Sequence, residues 1–533
     1  MCVLFTKPPM MTQRFFGPVH RVPAWCAVFS ALFVIVLLAA GCAVDQRKEV
    51  SQYRQVLDGK NPPALDDSFD DRPLSLEETL LLANRRNEQL SISGENYVQS
   101  LIARQRAYAA FLPTISLAPY LTYSEHPLSV TNGTKDLVTN VPVQANGNLF
   151  NGFRDIATLE GSGYTVEQRK AQLLDLQATI FLEVAQTYYQ VLSSERSVLV
   201  LTNSVAVQDA TVADEVARER AGVARPLDVA QSEAQAASSR AELISAQQDV
   251  TNGRTMLAFL IDAKVDKAVL VDRLDVPTQL MPIDSALATA RNTRQDVIAA
   301  RQGVEAARQT VTSALGEYYP TVSAQLDYYM QKQTPPTASL WDGLLNIYLP
   351  IFDSGNIYAD VRLAWSQLRV ARLNELMTVR QADEAVHTAY DTLQDSRRRI
   401  VELMTEVSAS RDALVQAQQS YFAGLATNLD VLTAQNSLLT SQLALAAEQF
   451  NFKYYYLELL RSMGLLLRPE ELIPATMPTT ESTSIDVTTP APMIESTTQP
   501  AIAPFVPFET QPTTEPIAPQ TMPTTEPTTM PGQ

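Results

Sequence analysis

The chain has 533 residues, 46% of them hydrophobic and 19% charged, with a formal net charge of −17. So acidic a chain lacks the basic surface that meets phosphate, which argues against nucleic acid as a partner. Its cysteines, Cys2, Cys26 and Cys42, all lie near the start, so the residues beyond them hold no intrachain disulfide and no cysteine-ligated metal.

Residues 1–41 read as an export signal. Lys7, Arg14 and Arg21 supply a basic region, and Ala24 to Ala40 is almost wholly apolar. That run of about 17 residues is marginal for a spanning helix and suits a signal core. It ends in Leu38-Ala39-Ala40-Gly41-Cys42, which resembles a bacterial lipoprotein cleavage box, with Ala39 where leucine is usual. The resemblance implies lipidation at Cys42. Ala43, in place of the aspartate that retains lipoproteins in the inner membrane, favours the outer one. Removal of 1–41 takes the net charge from −17 to −20. Residues 42–72 follow as a lipid-anchored linker.

Beyond the linker the chain repeats itself, with a first copy over 73–277 and a second over 278–472. Phe111-Leu112-Pro113-Thr114-Ile115-Ser116 recurs as Tyr318-Tyr319-Pro320-Thr321-Val322-Ser323, 207 residues later. Leu149-Phe150-Asn151-Gly152 recurs as Ile351-Phe352-Asp353-Ser354-Gly355. Ala221-Gly222-Val223-Ala224-Arg225-Pro226-Leu227-Asp228-Val229 recurs as Ala423-Gly424-Leu425-Ala426-Thr427-Asn428-Leu429-Asp430-Val431, at a spacing of 202.

Each copy opens with a helical stretch, 75–111 and 283–318. Two strands follow, then a long helix (153–221 and 356–422), a short break, and a helix running back. Proline is absent from 143 to 225 and from 351 to 468, as long helices require. Leu173, Leu176, Ile180, Val184, Tyr188 and Val191 mark a helical apolar stripe. About 68 residues at 1.5 Å each make a rod on the order of 100 Å, which is either a coiled-coil spacer or the wall of a tube.

The strands favour the tube. Val322, Ala324, Leu326, Tyr328 and Met330 alternate with Ser323, Gln325, Asp327 and Tyr329, and Leu345, Ile347, Leu349 and Ile351 alternate with Asp342, Asn346 and Tyr348. The first copy does the same with Ile115, Leu117, Leu121 and Tyr123, and with Val141, Val143, Ala145 and Leu149. Runs of about 10 residues with one apolar and one polar face fit tilted membrane strands. Four strands cannot close a barrel, and lipid tolerates no open edge, so two, three or four copies must pool them. The tail, 473–533, holds Pro-Thr-Thr-Glu at 478–481, 512–515 and 523–526, with no Lys or Arg. Its composition cannot form a core, and it reads as disordered.

These landmarks together resemble the TolC and OprM group of outer-membrane efflux proteins over about 73–468. The second break continues as Leu429-Asp430-Val431-Leu432-Thr433-Ala434-Gln435-Asn436-Ser437-Leu438-Leu439, which is typical of that family. The resemblance implies an α+β membrane protein, tandem duplicated. Its homotrimer would form a 12-stranded transmembrane β-barrel continuous with a long periplasmic α-helical barrel. It implies an outer-membrane channel of a tripartite system, passing small molecules (drugs, metals or other toxic compounds) from an inner-membrane pump through a periplasmic adaptor protein. It would sit in outer-membrane lipid with most of its mass in the periplasm, anchored through Cys42. Gly222, Val223, Ala224, Gly424, Leu425 and Ala426 match the adaptor-docking turns, and Asp228 and Asp430 match the acidic residues of the periplasmic gate. Each aspartate is also a first-turn helix acid by position. Thr433 stands where a second gate acid is often found, and Ala426 where a basic bridging residue can occur. That leaves Arg225 as the candidate basic residue, against a merely solvated one.

A type I polypeptide secretion outlet and a poreless coiled-coil lipoprotein scaffold are the competing readings. An enzyme is not expected, and neither is a cofactor or a metal. His20, His126 and His387 are far apart, and no phosphate loop, nucleophile elbow or His-Glu-x-x-His motif occurs. Glu77-Glu78 and Arg397-Arg398-Arg399 read as solvated helix faces.

Overall fold

The computed structural model describes residues 45–59, 73–130, 133–333 and 339–466. Cys42, the signal stretch and the tail from 473 lie outside the described residues. Within the expected linker, Gln46–Asp58 forms a helix, α1, because Tyr53 and Leu57 share one face and bury in the main core. Asp45 caps it, accepting a hydrogen bond from the Arg47 backbone N–H.

The first copy begins with β1 (Pro73–Ser75), α2 (Leu76–Arg86) and α3 (Glu88–Ala109). The expected single helix is thus broken, because Asn87 is extended and its Oδ1 accepts from the N–H groups of Gln89 and Leu90. The strands β2 (Thr114–Leu117), β3 (Tyr120–Val130) and β4 (Gly133–Asn151) follow. Then come the 67-residue α4 (Arg154–Arg220), α5 (Pro226–Ile261) and the short β5 (Val269–Val271).

The second copy runs through α6 (Ile283–Thr293), α7 (Gln295–Leu315), a 3-10 turn over Gly316–Tyr318, β6 (Thr321–Gln331), β7 (Trp341–Tyr348), α8 (Asn356–Phe422) and α9 (Asn428–Ser462). Its helical stretch is also broken, at Arg294, which is extended. The second rod, α8, is again 67 residues long. Each rod spans on the order of 100 Å. Among the described residues no helix is long and apolar enough to cross a membrane.

The described strands form two sheets. Parallel β1 and β5, in register Pro73 with Val269, tie the entry of the first copy to its exit. The larger sheet is antiparallel, in the order β2–β4–β6–β7, with β3 also pairing with β4. It holds five strands rather than four, because the first expected strand is split at Ala118-Pro119, where proline has no N–H for the ladder. Both pieces pair along β4, Thr114 opposite Asn146 and Tyr120 opposite Asn140. β4 and β6 join the two copies.

Across β2, β4, β6 and β7 the register aligns like with like, whereas β3 sets Leu121 opposite Thr139 and Thr122 opposite Val138. Ile115, Ala145 and Leu326 lie abreast, as do Leu117, Val143, Tyr328 and Trp341. Gln144, Asp327 and Asp342 line up on the opposite face, where Leu344 is an apolar exception. The described residues leave most of these apolar side chains open: Ile115 is 74% exposed, Trp341 65% and Ile347 65%.

The main core sits against α4 and takes in β1 and β5, with no residue of the larger sheet among its buried members. The predicted stripe is buried at Leu173, Ile180, Val184, Tyr188 and Val191 and half-buried at Leu176. Leu74, Leu80 and Leu90 pack on it from one side, and Leu257, Ile261 and Leu457 from the others. The Tyr188 hydroxyl lies 2.8 Å from the Leu74 carbonyl oxygen and 2.9 Å from that of Val271, bridging β1 and β5.

Candidate functional site at the helix turns

The two breaks fold as the same turn. After α4, Gly222 takes φ +78°, and the Val223 N–H reaches back 2.9 Å to the Arg218 carbonyl. After α8, Gly424 takes φ +74°, and the Leu425 N–H reaches 2.8 Å to that of Ser420. These bonds satisfy carbonyls that a helix end leaves orphaned, and the left-handed backbone suits glycine. Ala224 and Ala426 are half-buried, whereas Val223 and Leu425 are 74% and 84% exposed. Leu227, Leu429 and Phe422 are exposed beside them. The turns therefore present an uncovered apolar cap.

Both predicted aspartates occupy the third position of the helix that follows, and each accepts a hydrogen bond from the backbone N–H three residues before it. Asp228 also receives the Arg225 guanidinium, Nε to Oδ2 at 3.0 Å and Nη2 to Oδ1 at 2.7 Å. That hydrogen bonding holds its carboxyl below the usual carboxylate range. Asp430 takes the Thr427 N–H and hydroxyl, both at 2.7 Å, which also lowers its pKa, the backbone bond most. Asp228 is buried and Asp430 exposed.

The fold brings the two turns together through residues that the sequence reading did not single out. Asn428, 1% exposed, donates to the Asp228 carbonyl oxygen at 3.0 Å and to Ser232 Oγ at 2.9 Å. The Tyr421 hydroxyl donates to the Glu215 carboxylate, 2.7 and 2.9 Å from its two oxygens, and Glu215 is buried. Arg218, paired with Asp214 at 2.7 Å, lies over the Tyr421 and Phe422 rings at 5.2 and 5.0 Å. Thr433 bonds back to the Leu429 carbonyl within its own helix. Tyr421 and Glu215 are 206 residues apart, so only the pairing of the two hairpins reveals them.

Burial and the Glu215 hydrogen bond push the Tyr421 hydroxyl up to about 12. The folded chain thus favours the neutral phenol. The contribution of Tyr421 is complete below pH 10 and is lost as the pH rises through about 12. Spin labels at Val223→Cys and Leu425→Cys should keep one narrow distance up to pH 10 and broaden between 10 and 12. In Tyr421→Phe the distance should not respond to that rise.

Comparison with known proteins identifies the family. The sequence profile of the family described as outer membrane efflux protein matches residues 97–262 and 286–465, one span in each copy. The outer membrane efflux protein BepC of Brucella suis is 26% identical over 374 residues, covering 67% of this chain and 78% of BepC. The outer membrane protein TolC of Escherichia coli is 22% identical over 391 residues, covering 68% and 76%. The crystal structure of the outer membrane protein VceC from Vibrio cholerae superposes with a TM-score of 0.65 at 23% identity, covering 73% of this chain and 96% of VceC. With matches in both copies that take in more than half of its length, the chain belongs to the outer membrane efflux protein family and is an outer-membrane efflux channel.

Proposed function

We propose that three copies assemble into one duct, an outer-membrane β-barrel of twelve strand positions continuous with a barrel of long helices, fed by an inner-membrane pump through a periplasmic adaptor. The observation that carries this reading is the sheet. Across β2, β4, β6 and β7 its register sorts one face apolar and the other polar, and its two outer flanks, β2 with β3 on one side and β7 on the other, lack a further partner among the described strands. Such an edge is costly in lipid, and pairing with other protomers removes it. With β2 and β3 counted as one interrupted strand, each protomer offers four strand positions.

The exposed cap around Val223 and Leu425 is the adaptor-docking surface in this reading, with Gly222, Ala224, Gly424 and Ala426 shaping it. Asp228 and Asp430 belong to the entrance, where symmetry repeats each of them around the axis. Cys42, lipidated, supplements the barrel as anchor. The rods are long enough for most of the protein to lie in the periplasm. The cargo is small molecules, selected mainly by the pump.

Valine at Gly424 tests the docking surface. Nothing lies within 4 Å of a Cβ built there, so the strain comes from its positive φ alone. Relaxation of that φ should reshape the turn at a cost of about 1–2 kcal/mol, too little to unfold the trimer. Chemical crosslinking to the adaptor should fall while the heat-modifiable trimer persists. Undiminished crosslinking would count against docking at this turn.

A further inference from the structure

The two entrance aspartates are equivalent in sequence, 202 residues apart, and unequal in charge environment. Resting on the entrance reading above, we propose that Arg225 is a specificity-determining residue of the channel: it neutralises Asp228 within its own protomer, so that Asp430 alone supplies uncompensated negative charge to the ring.

The difference originates one turn earlier, at the residue that caps each helix. At the second turn the cap is Thr427, which offers a hydroxyl and an N–H, and both go to Asp430 Oδ2. These are dipoles, and they leave the unit charge intact. Asp430 remains exposed and has no ion-pair partner among the described residues. At the first turn the cap is Arg225. Its Nε and Nη2 take one carboxylate oxygen each, at 3.0 and 2.7 Å, the forked geometry that suits a guanidinium to a carboxylate. The Arg225 backbone N–H adds a third donor at 3.1 Å.

The pair is also fixed in place. Asp228 is 6% exposed, and the Arg225 side chain that covers it is 65% exposed. Pro226 begins α5 with a preset φ. Asn428 holds the Asp228 carbonyl and Ser232 from the neighbouring helix. A charge and its counter-charge at contact distance act on a distant ion only as a dipole, whose field decays faster than that of a net charge. A cation approaching a trimeric entrance meets three net negative charges at this level, where the sequence alone shows six carboxylates.

Planar-bilayer recording of the full-length trimer, with hexaamminecobalt(III) added on the periplasmic side, separates the possibilities. Asp430→Asn should weaken the block by about tenfold or more because it removes the net charge, and Asp228→Asn should weaken it as well because it leaves the Arg225 cation without its counter-charge. Arg225→Gln should strengthen the block about fivefold or more by unmasking the second ring, and adding Asp228→Asn to it should reverse that gain. A purely structural role for Arg225 predicts no gain and no reversal. Unchanged or weaker block in Arg225→Gln, or a gain that persists when Asp228→Asn is added to it, overturns the proposal while leaving the entrance reading standing. If Asp430→Asn also leaves the block at wild-type strength, the turns are not the entrance, and the functional reading falls with the proposal.

Discussion

Valine at Gly152 is expected to abolish the heat-modifiable trimer. Gly152 turns the chain from β4 into α4 at φ +60°, where a Cβ would sit 2.1 Å from the Gly316 carbonyl oxygen and 3.2 Å from the Tyr319 side chain. The approach is mutual, since a Cβ on Gly316 would lie 2.4 Å from the Gly152 oxygen. Two backbones meet there, so no side-chain rotation relieves the clash. Left-handed backbone costs a non-glycine residue about 1–2 kcal/mol, and overpacking typically adds about 1–3 kcal/mol. Gly355 is the control. It ends the corresponding motif in the second copy at φ +87°, but nothing lies within 4 Å of its Cβ. Alanine there should cost only the backbone share, about 1–2 kcal/mol. Thermal unfolding and band shift of the two purified variants compare them directly. Equal trimer yields would contradict the close-approach account.

The second large effect is expected at Tyr188. Its ring is fully buried in the main core, and its hydroxyl is within hydrogen-bond reach of the Leu74 and Val271 carbonyls, the strands that tie the first copy together. Tyr188→Ala removes the ring and leaves a cavity, a change that typically costs about 3–5 kcal/mol. Tyr188→Phe keeps the packing but leaves buried carbonyl oxygens without their donor, at about 1–3 kcal/mol. The thermal midpoint should fall in the order wild type, phenylalanine, alanine. A phenylalanine variant as labile as the alanine one would place the stabilisation in the hydroxyl and not in the ring.

What could be read from the sequence follows from how locally each feature is determined. The rods were legible because their apolar stripe and freedom from proline persist over many turns, and the bounds expected for the second, 356–422, coincide with those of α8. The strands were legible from alternation, but the split at Pro119 was not, because the side chains alternate on both sides of it. Breaks at Asn87 and Arg294 escaped notice, since a helix can restart without any interruption of hydrophobic spacing. β1 and β5 are too short to alternate, and their pairing spans nearly 200 residues. Helix α1 lay hidden in what reads as a linker, because its only strong signal is Tyr53 and Leu57.

At the turns, glycine, aspartate and their offset were visible, and so the two aspartates looked alike. The charge that separates them is an Arg225–Asp228 pair three residues apart, for which the sequence offers a candidate but no geometry. The Tyr421–Glu215 contact depends on how one hairpin lies against the other, and no local pattern encodes it.

Three copies of this chain are expected to form a conducting duct. The most direct measurement is the current carried by the purified full-length protein, shown to be trimeric, after insertion into a planar lipid bilayer. The expected result is discrete conductance steps with cation selectivity, lost on dissociation into monomers. A folded trimer that inserts and leaves the bilayer silent, under voltage and at several salt concentrations, would contradict it.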